Sequence, residues 1–391
     1  MPIAAYRQDC QQSQERGRWR ILRSLGVSHA GRTEVAGERL LNFSSNNYMG
    51  LAEHPLLVQR ACEWAARWGV GATASRLVCG NMALFATVEE KLTRGKGSEA
   101  ALIFNSGFQA NGTVLPALLE RGVLGGEPLV FADRFNHASF HHGCQAAGVR
   151  QIRYRHNDLN HLEMLLKKHA ARSGPRFILS ETVFSMDGDC CDVAGLIGLK
   201  ERYGAFLYLD EAHAGGVLGV DGFGLAAAYP GQVDLVMGTF SKGLGGFGAY
   251  VACSRLLKEY LVNRCAGFIY STALPPAVLG AMDAALELLP GLGGERERLQ
   301  VGGDMVRRAW REAGLDTGLS TTQIIPLLLG TEQAAMEMGC RLQGEGILAV
   351  AIRPPTVPPG GSRIRFSLTA QHSKEDLRHL VEAVIRLCQL R

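Results

Sequence analysis

The sequence predicts an α/β fold, a mainly parallel seven-stranded sheet followed by a smaller α+β carboxy-terminal domain. Three observations carry this. Seven short apolar runs alternate with helical patterns, the runs show no polar alternation, and glycine is in excess at 48 of 391 residues with no repeating period. Runs without alternation suit strands covered on both faces. Intervening helices suit right-handed crossovers between parallel strands. Aperiodic glycine suits tight turns and close backbone approaches around a large ligand site.

The elements follow in order. Residues 1–50 form an amino-terminal segment, polar at first, that closes on a strand and turn at 40–48. Residues 51–285 form the large domain, with strands expected at 100–104, 129–132, 151–154, 177–180, 205–209, 235–238 and 249–253. Helices are expected at 109–120, 159–171 and 193–203. Crossovers of one hand put the loops after the strands' carboxyl ends along one rim, where open α/β sheets bind ligands. A hinge is expected at 290–294. The small domain, 286–391, carries amphipathic helices at 295–314 and 373–390 flanking short strands near 324–329 and 363–368.

Composition narrows the function. Hydrophobic residues at 47% and charged residues at 20% mark a folded chain. The 41 basic and 37 acidic residues are too evenly matched for nucleic acid as a partner. No apolar run reaches the roughly 18 residues of a membrane span, and the first ten residues lack a signal peptide's apolar stretch. A cytoplasmic protein with no membrane contact is the expectation. Ten cysteines without a C-x-x-C pair read as reduced thiols. His141 and His142 have no Cys or carboxylate at a ligand spacing, so no metal site is expected.

The segment 239–248 contains Gly243, Gly245 and Gly248 at the spacing of a dinucleotide loop. That loop should open a helix, yet 249–253 reads as a strand, and no carboxylate follows about 20 residues on. The nicotinamide reading is rejected. Lys242 stands instead just past an apolar strand among small residues. Most lysines are solvated, but this turn starts inside the protein and leaves room for a flat ligand. Such surroundings suit a Schiff-base lysine, because desolvation frees the amine lone pair.

Upstream, the strand at 205–209 ends in Asp210, Glu211 and, three residues past Asp210, His213. A carboxylate there is either a helix cap or a functional acid. Facing a pyridine nitrogen, it would let negative charge at a substrate α-carbon drain into the ring, as pyridoxal phosphate chemistry requires. Residues 105–111 follow a strand and open a helix, a natural phosphate cradle. His137, just past another strand, could stack on a cofactor ring. The order of phosphate loop, aromatic lid, Asp-x-x-His and Thr-x-x-Lys is more specific than any one piece.

On these motifs, with 42–46, 75–81, 180–189, 270–276, 325–327 and 351–358, the chain resembles the α-oxoamine synthases over nearly its whole length. These are fold-type I, aspartate aminotransferase-like pyridoxal phosphate enzymes that join an amino acid to an acyl thioester with loss of carbon dioxide. Within the group it is most similar to the members that take L-alanine and a pimeloyl thioester, of coenzyme A or acyl carrier protein, in biotin synthesis. Other members of the group and a non-catalytic partner subunit are the rival readings.

The resemblance implies roles position by position. Lys242 holds the cofactor covalently. Asp210 pairs with the pyridine nitrogen, and His213 and Ser185 bond the phenolic oxygen. His137 stacks on the ring, while the amides of Gly107 and Phe108 and the Thr239 hydroxyl hold phosphate. Thr272 or Ser271 reaches the phosphate of a neighbouring subunit, implying a homodimer. Arg353 binds the amino-acid carboxylate near Thr356, and Asn46 and Tyr48 fall on the substrate side. Arg20 matches an amino-terminal substrate arginine, with Arg23 competing. Arg16, Arg18, Arg20 and Arg23 read either as a solvated basic helix or as a cluster for the acyl donor's far carboxylate. Three stretches depart from the family pattern: 46–50, the Ala214-Gly215-Gly216 after the histidine, and the glycine-rich lysine loop.

Overall fold

The computed structural model describes residues 2–15 and 18–389, so Arg16 and position 390 lie outside the described residues. The chain divides into two compact units. One holds residues 47–185 and 190–296; the other holds residues up to 46, 186–189 and those from 297 on.

The first unit is built on one seven-stranded sheet. In chain order its strands are β1 (Ala100–Phe104), β2 (Leu129–Asp133), β3 (Gln151–Tyr154), β4 (Arg176–Glu181), β5 (Ala205–Asp210), β6 (Leu235–Thr239) and β7 (Ala249–Cys253). Their spatial order is β1-β7-β6-β5-β4-β2-β3. β7 runs antiparallel to both neighbours and the remaining pairs are parallel. Every expected strand of the large domain belongs to this sheet.

Alternate side chains of these strands enter two separate cores. Leu102, Val130, Leu179 and Met237 go to one face, and Phe131, Ile178, Leu209 and Val236 to the other. Each such burial stabilises by about 1.5–3 kcal/mol. With both faces committed to packing, polar chemistry is confined to the strand ends. Two helices begin at that rim, α1 (Gly107–Leu118) after β1 and α2 (Ala138–Ala146) after β2. Ser106 Oγ caps α1 by accepting the Gln109 N–H at 3.2 Å.

The second unit explains why residues before 47 are not a separate piece. The strand Glu38–Asn42 pairs antiparallel with Arg32–Val35 and parallel with Ile347–Leu348. Phe43 packs on His372 at 4.1 Å and edge-on to Phe366 at 6.4 Å. The unit boundaries therefore fall at 46 and 296 rather than at 50 and 285. A three-stranded sheet of Ile324–Gly330, Ser362–Ser367 and Ala351–Ile352 completes the unit, with buried Trp310 against Phe366. The amino-terminal helix is Pro2–Glu15, and residues 18–27 have no regular structure, so Arg18, Arg20 and Arg23 do not form a basic helix.

His372 gives this unit a pH dependence. Its Nδ1 accepts the Thr369 N–H at 3.2 Å, and burial lowers its pKa to about 4. The unfolded imidazole, near 6.5, takes up a proton that the folded one refuses. Its contribution is complete above pH 6.5 and is lost as the pH falls toward 4, by about 3 kcal/mol in all. Urea midpoints should drop across that window, and His372→Gln should flatten the drop; an unchanged slope in the variant would assign it to other groups.

Candidate active site

The loops leaving the carboxyl ends of β1, β2, β4, β5 and β6 carry the expected residues Gly107 and Phe108, His137, Ser185, Asp210 and His213, and Thr239 and Lys242. They converge because parallel strands all end on the same side.

Lys242 lies three residues past β6, half-buried, with Nζ 3.0 Å from His213 Nε2. The other imidazole nitrogen, Nδ1, is 2.6 Å from Tyr48 Oη. With the lysine donating, the ring proton resides on Nδ1 and is given to the tyrosine oxygen. Tyr48, expected on the substrate side, thus orients His213, which is only 5% exposed. The departures in sequence have a steric cause. A Cβ on Gly243 would lie 2.4 Å from the Gly215 carbonyl oxygen, and one on Gly216, at φ +89°, 2.8 Å from Gly243. These glycines let the lysine loop and the loop after β5 approach backbone to backbone.

Asp210 is buried at the end of β5. Its Oδ1 accepts the Ala212 N–H at 2.8 Å and its Oδ2 accepts Asn111 Nδ2 at 2.9 Å. The same Asn111 nitrogen donates to Ser139 Oγ at 2.9 Å, and Asn111 Oδ1 accepts the Tyr208 hydroxyl at 2.6 Å. Ser139 Oγ is 2.8 Å from His137 Nδ1. The His137 backbone N–H donates to Glu181. The His137 ring is exposed at the rim, yet surrounding protein desolvates it enough to lower its pKa, the Asp210 charge opposing. Burial pushes the Glu181 carboxyl well above the usual range, and Asp210 adds to the effect.

Sequence reasoning assigned no role to Asn111, Ser139, Tyr208 or Glu181. For Tyr208 a signal existed, since strand periodicity puts it on the same face as Asp210. The neighbouring Glu211 has a different use. It forms a buried ion pair with Lys96 at 2.5 Å and accepts the Ala226 N–H. Burial works against the Lys96 charge, but Glu211 and Tyr250 outweigh it and raise the ammonium's pKa.

At the start of α1, the first-turn amides of Gly107 and Phe108 have no helical partner. A Cβ on Gly107 would come 2.8 Å from Thr239 Cγ2, so glycine keeps the hydroxyl-bearing residue beside those amides. Asn105 Nδ2 donates to the Thr272 carbonyl at 2.9 Å and Gln109 Nε2 to Ser271 Oγ at 2.7 Å. Ser271 and Thr272 thus adjoin this loop within the chain. The exposed Phe108 ring meets His137 edge-on at 6.5 Å. Ser185 is half-buried in the turn after β4.

In the other unit, Arg20 Nη2 reaches Thr356 Oγ1 at 3.4 Å, and the Thr356 N–H bonds the Arg353 carbonyl at 3.0 Å. Three expected substrate residues are therefore neighbours. Arg23 instead contacts Gln343 at 3.3 Å and Arg18 contacts Glu332 at 3.2 Å. Asn46 Oδ1 accepts Arg365 Nη1 at 3.1 Å. Arg365 is a buried arginine to which sequence reasoning gave no part.

Comparison with known proteins places the chain in a family. The pattern of the family "Aminotransferase class I and II" matches residues 38–384. The 8-amino-7-oxononanoate synthases of Gluconacetobacter diazotrophicus and Geobacter sulfurreducens are 57% and 47% identical, covering 89% and 97% of this chain and 88% and 96% of their own. A Magnetococcus marinus protein that bears the same name provisionally is 65% identical over 98% of both chains. Among solved structures, a serine palmitoyltransferase of S. paucimobilis with PLP and myriocin bound superposes with TM-score 0.91 at 25% identity, covering 99% of this chain and 97% of that one. An 8-amino-7-oxononanoate synthase of Francisella tularensis shares the fold, with TM-score 0.76 at 24% identity over 90% and 98%.

Pyridoxal phosphate finds a matching donor set here. The chain offers a lysine amine, a buried carboxylate held by two N–H donors, an exposed imidazole face, and helix-start amides beside a hydroxyl where a Gly107 side chain would intrude. Lys242→Ala should abolish the borohydride-reducible link to the cofactor while the remaining donors keep it bound non-covalently. Turnover should fall by orders of magnitude. A variant that kept a reducible link would move the site to another lysine.

Proposed function

The chain belongs to the aminotransferase class I and II family and is a pyridoxal phosphate-dependent enzyme, and on that premise we propose that it condenses L-alanine with a pimeloyl thioester to give 8-amino-7-oxononanoate, a step of biotin synthesis. The observation that carries the chemistry is the Lys242–His213 contact at 3.0 Å, one strand end from the Asp210–Asn111–Ser139–His137 chain. The choice of substrates is supported by relatives of that name at 47–57% identity over most of the chain.

Bound in the site, the cofactor supplies an electron sink for the pair left at the amino acid's α-carbon. Lys242 would hold it and, as a free amine, would take the α-proton on Nζ. Asp210 presents a buried negative charge that holds a proton at the ring nitrogen. His213, steadied by Tyr48, and Ser185 bond the phenolic oxygen. Gly107, Phe108 and Thr239 hold phosphate, joined by Ser271 or Thr272 of a second copy of the chain. The new bond joins alanine's α-carbon to the thioester carbonyl carbon as the carbon–sulfur bond breaks; the carrier departs as a thiolate that water protonates, carbon dioxide leaves, and Lys242 returns its proton to the α-carbon. His137 orients the acyl carbonyl and the departing carboxylate. Arg353, with Thr356 and Asn46, binds the alanine carboxylate, and Arg20 receives the far carboxylate of the acyl chain.

The exposed apolar residues Ile21, Leu22 and Val27 support a homodimer in which a second copy covers them. No single helix among the described residues is long and apolar enough to cross a membrane, consistent with a cytoplasmic enzyme.

Asp210→Asn should keep fold and cofactor yet suppress α-proton exchange of alanine measured without thioester, since a neutral amide holds the ring proton far less well. Unchanged exchange would reduce Asp210 to a strand-end cap.

Acyl choice is tested with a panel of thioesters, products read by mass spectrometry. A buried pimeloyl carboxylate needs a partner, because its unpaired burial costs several kcal/mol. Arg20→Ala should therefore raise the KM for the pimeloyl donor, spare alanine, and matter much less for the methyl ester. The serine palmitoyltransferase likeness makes palmitoyl the competing donor. Preference for it, or for acetyl or succinyl, would overturn the pimeloyl assignment and leave the condensation chemistry intact.

A further inference from the structure

Asn111 lies on the first full turn of α1 and is fully buried. Its carboxamide bonds three side chains belonging to different elements: Asp210 and Tyr208 of β5, and Ser139 of α2. Burial, and then the Asp210 charge, raise the Tyr208 pKa far enough that the hydroxyl keeps its proton and donates to Asn111 Oδ1. Turning the carboxamide over would set its oxygen against the Asp210 carboxylate, so its orientation is fixed. Both N–H groups of Nδ2 are then committed, one to Asp210 Oδ2 and one to Ser139 Oγ.

Ser139 Oγ, having accepted, turns its own proton to His137 Nδ1 at 2.8 Å. The Ser139 backbone N–H also points there at 3.3 Å. Two donors on Nδ1 leave the ring's single proton on Nε2. We infer that Asn111 is a positioning residue for the reaction: one carboxamide orients the Asp210 carboxylate and, through Ser139, fixes His137 as the Nε2–H tautomer. The inference rests on the reading of Asp210 and His137 as cofactor-site residues. It makes His137 a hydrogen-bond donor to substrate oxygen and leaves proton removal to Lys242.

The test uses protein with isotope-labelled histidine, with and without pyridoxal phosphate, the His137 signal being identified by its loss in His137→Asn. Wild type should show one tautomer, protonated on Nε2. Asn111→Ala should mix the tautomers and, by removing a donor to a charged carboxylate, weaken cofactor binding about tenfold or more. With Ser139 already replaced by Ala, removing the carboxamide should change the His137 signal no further yet still weaken binding through Asp210. Asn111→Asp, which keeps the shape, should weaken binding as well, so a folding defect in the alanine variant does not decide the matter. An unchanged tautomer together with unchanged affinity in these variants would overturn the inference. Asp210→Ala separates the causes. If it loses cofactor while the Asn111 variants do not, the inference alone fails; if it too retains cofactor, the reading of the site fails and takes the inference with it.

Discussion

A carboxylate taken out of water must be met by donors, and the surroundings of Asp210 follow from that requirement. β5 is apolar on both faces up to its last residue, so the charge emerges at the rim with no side chain of its own strand able to donate beside it except Tyr208, whose hydroxyl is engaged elsewhere. The donors come from outside β5 itself. The loop just past it supplies the Ala212 amide, and α1 supplies Asn111. Because α1 follows β1 and α2 follows β2, satisfying one carboxylate draws the starts of both helices to one place. His137 caps α2 with the same nitrogen that faces Ser139, so helix capping and site geometry become a single constraint.

The sheet was legible in the sequence because its signal is local. A run such as Val-Phe-Ala at 130–132 has no polar residue to place outward, which already excludes a half-exposed strand. Lys242, Asp210 and His213 were legible for a related reason: ionisable residues directly after such runs stand out against an apolar background. The amino-terminal segment was not legible in this way. Its membership of the second unit depends on pairing between Leu41–Asn42 and Ile347–Leu348, some 300 residues apart, and on Phe43 meeting Phe366 and His372. Sequence spacing holds no record of such contacts.

Asn111 and Tyr48 show a subtler gap. An asparagine inside a helix and a tyrosine in a turn look ordinary, and their use appears only when the fold brings a partner within reach. Tyr48 was grouped with the substrate because of its motif, whereas its hydroxyl meets His213 Nδ1. The glycines of the lysine loop were visible as departures, but their purpose was not. Contact of Gly243 with Gly215, and of Gly216 with Gly243, is a property of two loops packed together.

Three acids stand at the ends of adjacent strands, and their partners separate their roles. Glu211 faces back into the protein, closed off by Lys96 and the Ala226 amide, and serves the packing beneath the rim. Glu181 receives the His137 backbone N–H, and burial, with the Asp210 charge beside it, raises its pKa, which disfavours a second negative charge there. Asp210 has its two donors, the Ala212 amide and the Asn111 carboxamide, on separate oxygens and sits among groups that open to the rim. Two ionised carboxylates side by side would repel and each would raise the other's pKa. With the Glu181 anion disfavoured and Glu211 paired with an ammonium, Asp210 is the carboxylate directed to the rim. The fold sets these uses apart through the placement of donors, the three residues being chemically alike.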